Sequence, residues 1–169
     1  VGRNFDFENG GLSPWVPLNA GSQPGPYEIA SFDVDGDGQT SQAFRIGPNG
    51  DPDGIQQQVY LQTGVTYTID LDIAAANTST NSNGGVGNVA LLLDGTSISA
   101  FNFQTLGSLP AGGVQRSTLH ATYTPSTTGL HTLSLTFQRP WIQDATIWAY
   151  ADDVAIGRED PTGGFSIDT

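Results

Sequence analysis

The stretch Gly54-Ile-Gln-Gln-Gln-Val-Tyr-Leu-Gln-Thr-Gly-Val-Thr-Tyr-Thr-Ile-Asp-Leu-Asp-Ile-Ala75 decides the fold. Ile55, Val59 and Leu61 fall on one side of an extended chain. After the Thr63-Gly64 turn, Tyr67, Ile69, Leu71 and Ile73 recur at every second position, the period of a strand with one buried face. Between them stand Gln56, Gln58, Tyr60 and Gln62, then Thr68, Asp70 and Asp72, so the other side offers hydrogen-bonding groups. The pattern predicts two strands around one tight turn, and a sheet whose oily face a second sheet must cover.

The same period extends outward in both directions. Upstream, Asn4-Phe-Asp-Phe-Glu8 alternates and predicts a first strand with Phe5 and Phe7 inward. Trp15, between Pro14 and Pro17, reads as a loop aromatic folded back on the core. Residues 27–32 and 41–46 read as strands, with Phe44 and Ile46 inward. Downstream, Val89, Leu91 and Leu93 lead to Asp94-Gly95, a hairpin turn whose partner strand is 98–104. Leu119, Ala121 and Tyr123, then His131, Leu133, Leu135 and Phe137, repeat the alternation, and 145–156 closes it. Trp148 and Tyr150 share the parity of Val154 and Ile156 and are expected in the core. Short strands separated by turn signals, without a helical period, predict an all-β fold: an antiparallel β-sandwich, a jelly roll.

Composition bounds the function. A chain of 169 residues, 37% hydrophobic, supports one core; the expected domain spans 1–158, with 159–169 a linker or tail. Its 17 acidic residues against 5 arginines and no lysine give a net charge of −12, which opposes nucleic acid and anionic membrane surfaces. No run reaches the roughly 18 apolar residues of a spanning helix, and the start at Val1 does not read as a signal peptide. The expectation is an excised piece of a longer protein, secreted or at the cell surface. There is no cysteine and no Gly-x-Ser-x-Gly, and only His120 and His131 are histidines, thin support for a nucleophile and base. The acids cluster in Asp-Gly turns, where solvent holds pKa values low, so a general acid for glycoside hydrolysis is not expected.

Asp33-Val-Asp-Gly-Asp-Gly38 is the most pointed chemistry in the chain. Three carboxylates at alternating positions, with glycines that let the backbone curl, present hard oxygen ligands for calcium. The twelfth position is Phe44 instead of a bidentate Glu, which rejects a complete EF-hand. The alternative is an acidic surface turn.

Phe7-Glu8-Asn9-Gly10-Gly11 followed by Trp15, the central 54–69 stretch, and Ala151-Asp-Asp-Val-Ala-Ile156, in that order, resemble jelly-roll carbohydrate-binding modules of families 4, 9, 16 and 22. The resemblance runs from about Phe5 to Gly157. It implies a structural calcium joining the first strand to the last through Glu8 and Asp152, with a third ligand from Asp33, Asp35 or Asp37. It also implies a polysaccharide held on a concave sheet or at loop tips, by aromatic rings on sugar C–H faces and amides on hydroxyls. The candidates for those contacts are Trp141, in a proline-containing loop, with Arg139, Gln138, Gln104, Tyr60 and Gln58; Arg116 and His120 are of the same kind. With this net charge the expected glycan is neutral. The expected protein is a non-catalytic, monomeric module tethered in a secreted carbohydrate-active enzyme, and the alternative is a structural or adhesive β-sandwich of a large bacterial surface protein.

Overall fold

The computed structural model describes residues 7–19, 27–47, 53–77, 87–104, 113–138, 147–159 and 165–167. In chain order the strands are β1 (Val16–Asn19), β2 (Tyr27–Phe32), β3 (Ser41–Ile46), β4 (Asp53–Leu61), β5 (Tyr67–Asn77), β6 (Gly87–Leu93), β7 (Thr96–Gln104), β8 (Val114–Tyr123), β9 (Gly129–Gln138), β10 (Ile147–Glu159) and β11 (Phe165–Ile167). They form two antiparallel sheets, one ordered β1-β4-β9-β6-β7 and the other β2-β3-β10-β5-β8, with β11 laid on β10. No helix occurs among the described residues, so the jelly-roll sandwich expected from the alternation is the observed architecture.

The strands of the central stretch are where expected, but they are not hairpin partners. β4 pairs with β1 and β9, whereas β5 pairs with β10 and β8, so residues 62–66 arch from one sheet to the other. The arch lets the two oily faces cover each other: Ile55, Val59 and Leu61 are buried opposite Ile69, Leu71 and Ile73, all at 1% exposure or less. Each such side chain contributes about 1.5–3 kcal/mol relative to exposure. The Tyr67 hydroxyl accepts the Gln62 N–H at 3.0 Å and closes the arch. The β8–β9 connection makes a second arch beside it, and the two are bolted together by Gly64 N–H to the Pro125 carbonyl (3.2 Å) and Thr63 N–H to Thr128 Oγ1 (2.9 Å). β6 and β7 are a true hairpin, with Asp94 and Gly95 at φ of 49° and 83°, the twist that a two-residue turn requires.

Three details depart from strict alternation. Residues 4–6 of the expected first strand lie outside the described residues, and Phe7 and Glu8 belong to a turn closed by Gly10 N–H to the Phe7 carbonyl. Phe7 still reaches the core, fully buried and stacked on Trp15 at 5.9 Å. Gln57 occupies an inward position at 5% exposure, flanked by the outward Gln56 and Gln58. In β10 the pairing slips between Asp152 and Ala155, where Asp153 has φ 52°. That bulge reverses parity, so Val154 and Ile156 point into the core while Trp148, Tyr150 and Asp152 point out of the sandwich. Trp148 and Tyr150 are therefore not part of the main core. Tyr150 is buried in a smaller apolar cluster on the outer face with Val34, Ala43, Ala74 and Ala76.

His131 locks one end of the molecule. It is 5% exposed, with Nδ1 2.6 Å from Asp94 Oδ2 and Nε2 2.9 Å from the Thr127 carbonyl oxygen. A carbonyl only accepts, so Nε2 carries a proton; with Nδ1 donating to the carboxylate the ring is an imidazolium. The Asp94 hydrogen bond is the main cause that raises the His131 pKa, and the Thr132 N–H followed by His131 lowers that of Asp94.

Candidate functional site

Directly paired residues of antiparallel strands share a face, so the register maps the outer surface of the five-stranded sheet. One row is Gln138, Asn88 and Asn102; the next is Leu18, Gly54, Thr136, Ala90 and Ala100. Val16, Gln56, Ser134 and Leu92 follow, then Gln58 with Thr132, then Tyr60 with Leu130. Gln58 Nε2 donates to Thr132 Oγ1 at 2.8 Å. The face is made of amides, hydroxyls and small apolar groups. Among the described residues, the outward strand positions of these rows carry no formal charge, in a chain whose net charge is −12; the one carboxylate beside them is that of Asp94 in the β6–β7 turn, which accepts the Thr132 N–H at 2.9 Å. The row Gly54, Thr136, Ala90 and Ala100 carries small side chains across four strands, between the row of Gln138, Asn88 and Asn102 and the row that holds Gln56.

Gln58, Tyr60 and Gln138 all lie on this face, and the backbone of Gln104 joins its edge opposite Gly87. They do not form one patch. Gln104 and Gln138 mark one end, whereas Gln58 and Tyr60 mark the other, six to eight residues along β9 and thus about 20–26 Å away. Arg139 and Trp141 lie outside the described residues.

The outer face of the six-stranded sheet is opposite in character. It carries Glu28, Arg45, Asp70, Asp72, Arg116, His120 and Asp152. Arg45 pairs with Glu28 and lies over the Trp148 ring at 4.2 Å. Phe32 stacks on Tyr150 with centroids 3.9 Å apart, and His120 Nδ1 meets Asp70 at 2.5 Å. Arg116 and His120 therefore sit on the sheet away from the glutamine candidates.

The aspartate loop between β2 and β3 folds over this charged face through Val34, 2% exposed. Asp33 accepts the Gly36 and Gly38 amides at 2.7 and 3.1 Å, and Arg116 approaches it at 3.6 Å. Partial loss of hydration pushes the Asp33 pKa up, but those amides, Asp35 and Arg116 outweigh it, and the net shift is downward. Asp33, Asp35 and Asp37 bring ligand oxygens within 4.8 Å of one another. Asp35 is shared with a second group of the same compactness, completed by Asp72 of β5 and Asp153 of the β10 bulge. Burial, then the charge of Asp35, raises the pKa of Asp72. Sequence reading missed Asp72 and Asp153, because only the sheet register brings them to the loop. Glu8 and Asp152 come to adjacent residues of β3, beside that second group, since Asp152 pairs directly with Asp72: Glu8 accepts the Gln42 N–H at 2.9 Å and Asp152 accepts the Ser41 hydroxyl. Burial pushes the Asp152 carboxyl up to about 7, with the charges of Asp153 and Glu8 adding to it. A divalent cation suits such a site, because it neutralises a buried carboxylate that otherwise resists ionising.

No family model matches the chain, and no curated relative does. Solved structures match over nearly all of it. TmCBM61 in complex with beta-1,4-galactotriose is 17% identical, with a TM-score of 0.57 over 93% of this chain and 97% of that one. The CBM22-1–GH10 modules of Clostridium thermocellum endo-1,4-beta-D-xylanase 10B, complexed with xylohexaose, are 19% identical, with a TM-score of 0.57 over 92% of this chain and 28% of that one. A cyclase from Fischerella sp. TAU in complex with 4-(1H-indol-3-yl)butan-2-one is 15% identical, with a TM-score of 0.59 over 93% and 95%. An adhesin domain of Lys-gingipain is also among the matches. The chain thus has the jelly-roll fold of carbohydrate-binding modules. At these identities the likeness is one of fold, and the fold is shared with a cyclase and an adhesin domain.

Proposed function

We propose that this chain is a non-catalytic carbohydrate-binding module that holds a neutral polysaccharide across the outer face of its five-stranded sheet. The observation that carries this reading is the absence of formal charge from the outward strand positions described on that face, with Asp94 confined to the turn at one end, while the other sheet displays both signs. An uncharged face of amides and hydroxyls matches sugar hydroxyls without the desolvation cost that buried charges impose. The row of small side chains Gly54, Thr136, Ala90 and Ala100 crosses four inter-strand steps with Leu18, about 19 Å, a span that fits several sugar rings. Glycoside hydrolysis needs two carboxyl groups flanking the bond, and among the described residues the strand rows of this face offer none and the adjoining turn only Asp94, which is held by His131 and the Thr132 N–H; this supports a binding role over a catalytic one.

Calcium is the proposed metal, in a structural role. Asp33, Asp35 and Asp37, with Asp72 and Asp153, supply the hard oxygens it takes in sixes to eights, and would tie the β2–β3 loop to β5 and β10; Glu8 and Asp152 are the second candidate pair. The module is further proposed to be a monomer spanning 1–158, with 159–169 as linker, in a secreted or cell-surface carbohydrate-active enzyme. A panel of soluble neutral and anionic polysaccharides tests the reading: retention by a neutral glucan, xylan, mannan or galactan supports it. Binding only to anionic glycans, persisting in EDTA, or to none, overturns it.

A further inference from the structure

We infer that His131 is a proton-controlled latch between the β6–β7 turn and the β8–β9 connection: when the ring loses a proton, the connection is released together with the arch 62–66, while the Asp94 side stays closed. Both partners of the ring only accept, Asp94 Oδ2 at 2.6 Å from Nδ1 and the Thr127 carbonyl oxygen at 2.9 Å from Nε2. The imidazolium satisfies both, whereas a neutral imidazole has one N–H to give. One of the two oxygens must then face a ring lone pair, beside a side chain only 5% exposed, where water has little room to take the missing place.

The surroundings decide which contact goes. Asp94 is an anion, and a hydrogen bond to a charged acceptor is about twice as strong as one to a neutral carbonyl. The backbone of β9 also holds it twice: its own N–H donates to the Thr132 carbonyl and its Oδ1 accepts the Thr132 N–H, both at 2.9 Å. Residues 126–128 are exposed, so the Thr127 carbonyl can turn to water instead. The remaining proton therefore stays on Nδ1, and Nε2 turns its lone pair on Thr127. Three hydrogen bonds couple that segment to the arch: Gly64 N–H to the Pro125 carbonyl, Thr63 N–H to Thr128 Oγ1, and the Thr66 and Thr124 hydroxyls to each other at 2.8 Å. A local opening takes them along. Of the other elements packed on the ring, β4 sets Val59 opposite it and β8 brings the Tyr123 ring edge-on at 6.2 Å. Among the described residues, Asp94 and Tyr123 are the charged or titratable groups that meet it. The Asp94 bond raises the His131 pKa above its ordinary value near 6.5, so the latch is closed on the acid side and opens on the alkaline side.

Millisecond hydrogen–deuterium exchange at about pH 5.5 and about pH 9.5, corrected for the intrinsic rate, provides the test, together with the nitrogen chemical shifts of the His131 ring. From the acid to the alkaline end, the Thr63 and Gly64 amides should lose protection roughly tenfold or more, and the Asp94 and Thr132 amides should change by less than about twofold. The ring should pass from two N–H groups to the Nδ1–H tautomer. Tyr123→Phe keeps the ring contact and removes the other titratable group, so it should leave the step in place. Unchanged protection at Thr63 and Gly64, or an equal loss at Asp94 and Thr132, overturns the latch. So does a ring in the Nε2–H form, or still doubly protonated, at the alkaline end, and so does a step that vanishes in Tyr123→Phe.

Discussion

Replacing Asp94 with asparagine removes the anion that holds His131 as an imidazolium and leaves the fold around it intact. A hydrogen bond between charged groups contributes about 1.5–3 kcal/mol. Asp94 is 46% exposed, and solvent screening at such a site lowers the expected contribution to about 1–1.5 kcal/mol. For a chain of this size that is a fall of roughly 2–6 °C in Tm. The pH dependence carries the sign. The folded pKa of His131 is raised, so its stabilisation is fully present below the unfolded value near 6.5 and is lost as pH rises through the folded value. The folded pKa of Asp94 is lowered, so its share is present above about 3.9 and is lost as pH falls through the folded value. Urea unfolding of the wild type and Asp94→Asn at about pH 5.5 and about pH 9.5 isolates the pair, because titrations common to both proteins cancel in the difference. The gap should be widest near pH 5.5 and should narrow at the alkaline end. A gap of equal size at both pH values refutes the imidazolium.

Gly54→Ala should destabilise by about 3 kcal/mol or more, read as a large loss of urea midpoint, because the added Cβ would lie 1.8 Å from the Leu135 carbonyl oxygen and 3.0 Å from the Thr136 Cα. A variant as stable as the wild type would show that β4 and β9 do not approach so closely. Calcium at a hundred times its dissociation constant should stabilise by about 2.7 kcal/mol, and Asp35→Asn, which touches both acidic groups, should abolish the gain; equal melting in calcium and EDTA removes the metal. Trp141→Ala should abolish most glycan affinity with little change in melting, whereas a loss of about 3–5 kcal/mol would mark a buried ring instead.

The strands were legible because period-two alternation needs no knowledge of partners: residues 27–32 and 41–46 match β2 and β3 end for end. Pairing was not legible. Alternation identifies which side of a strand is oily but not which strand lies beside it, and the Thr63-Gly64 turn signal is common to a hairpin and an arch. The bulge defeated parity for Trp148 and Tyr150, although Asp152-Asp153 was its available sign, since aspartate tolerates positive φ better than most residues. The aspartate loop was visible as a motif, but Asp72 and Asp153 approach Asp35 only through the register of β5 with β10. Gln58, Tyr60 and Gln138 were found as polar or aromatic positions, yet their separation along β9 and the uncharged character of the strand rows emerge only when five strands are set side by side.

The most direct test of the central claim is amide chemical-shift mapping of the isotopically labelled protein during titration with the neutral oligosaccharide that it binds best. Residues of the uncharged face, among them Gln58, Thr132, Thr136, Asn88 and Asn102, should shift in a saturable manner while those around Arg45, Arg116 and Asp70 stay still. Shifts confined to the charged sheet, or none on the β4-β9-β6 surface at saturation, would contradict the account.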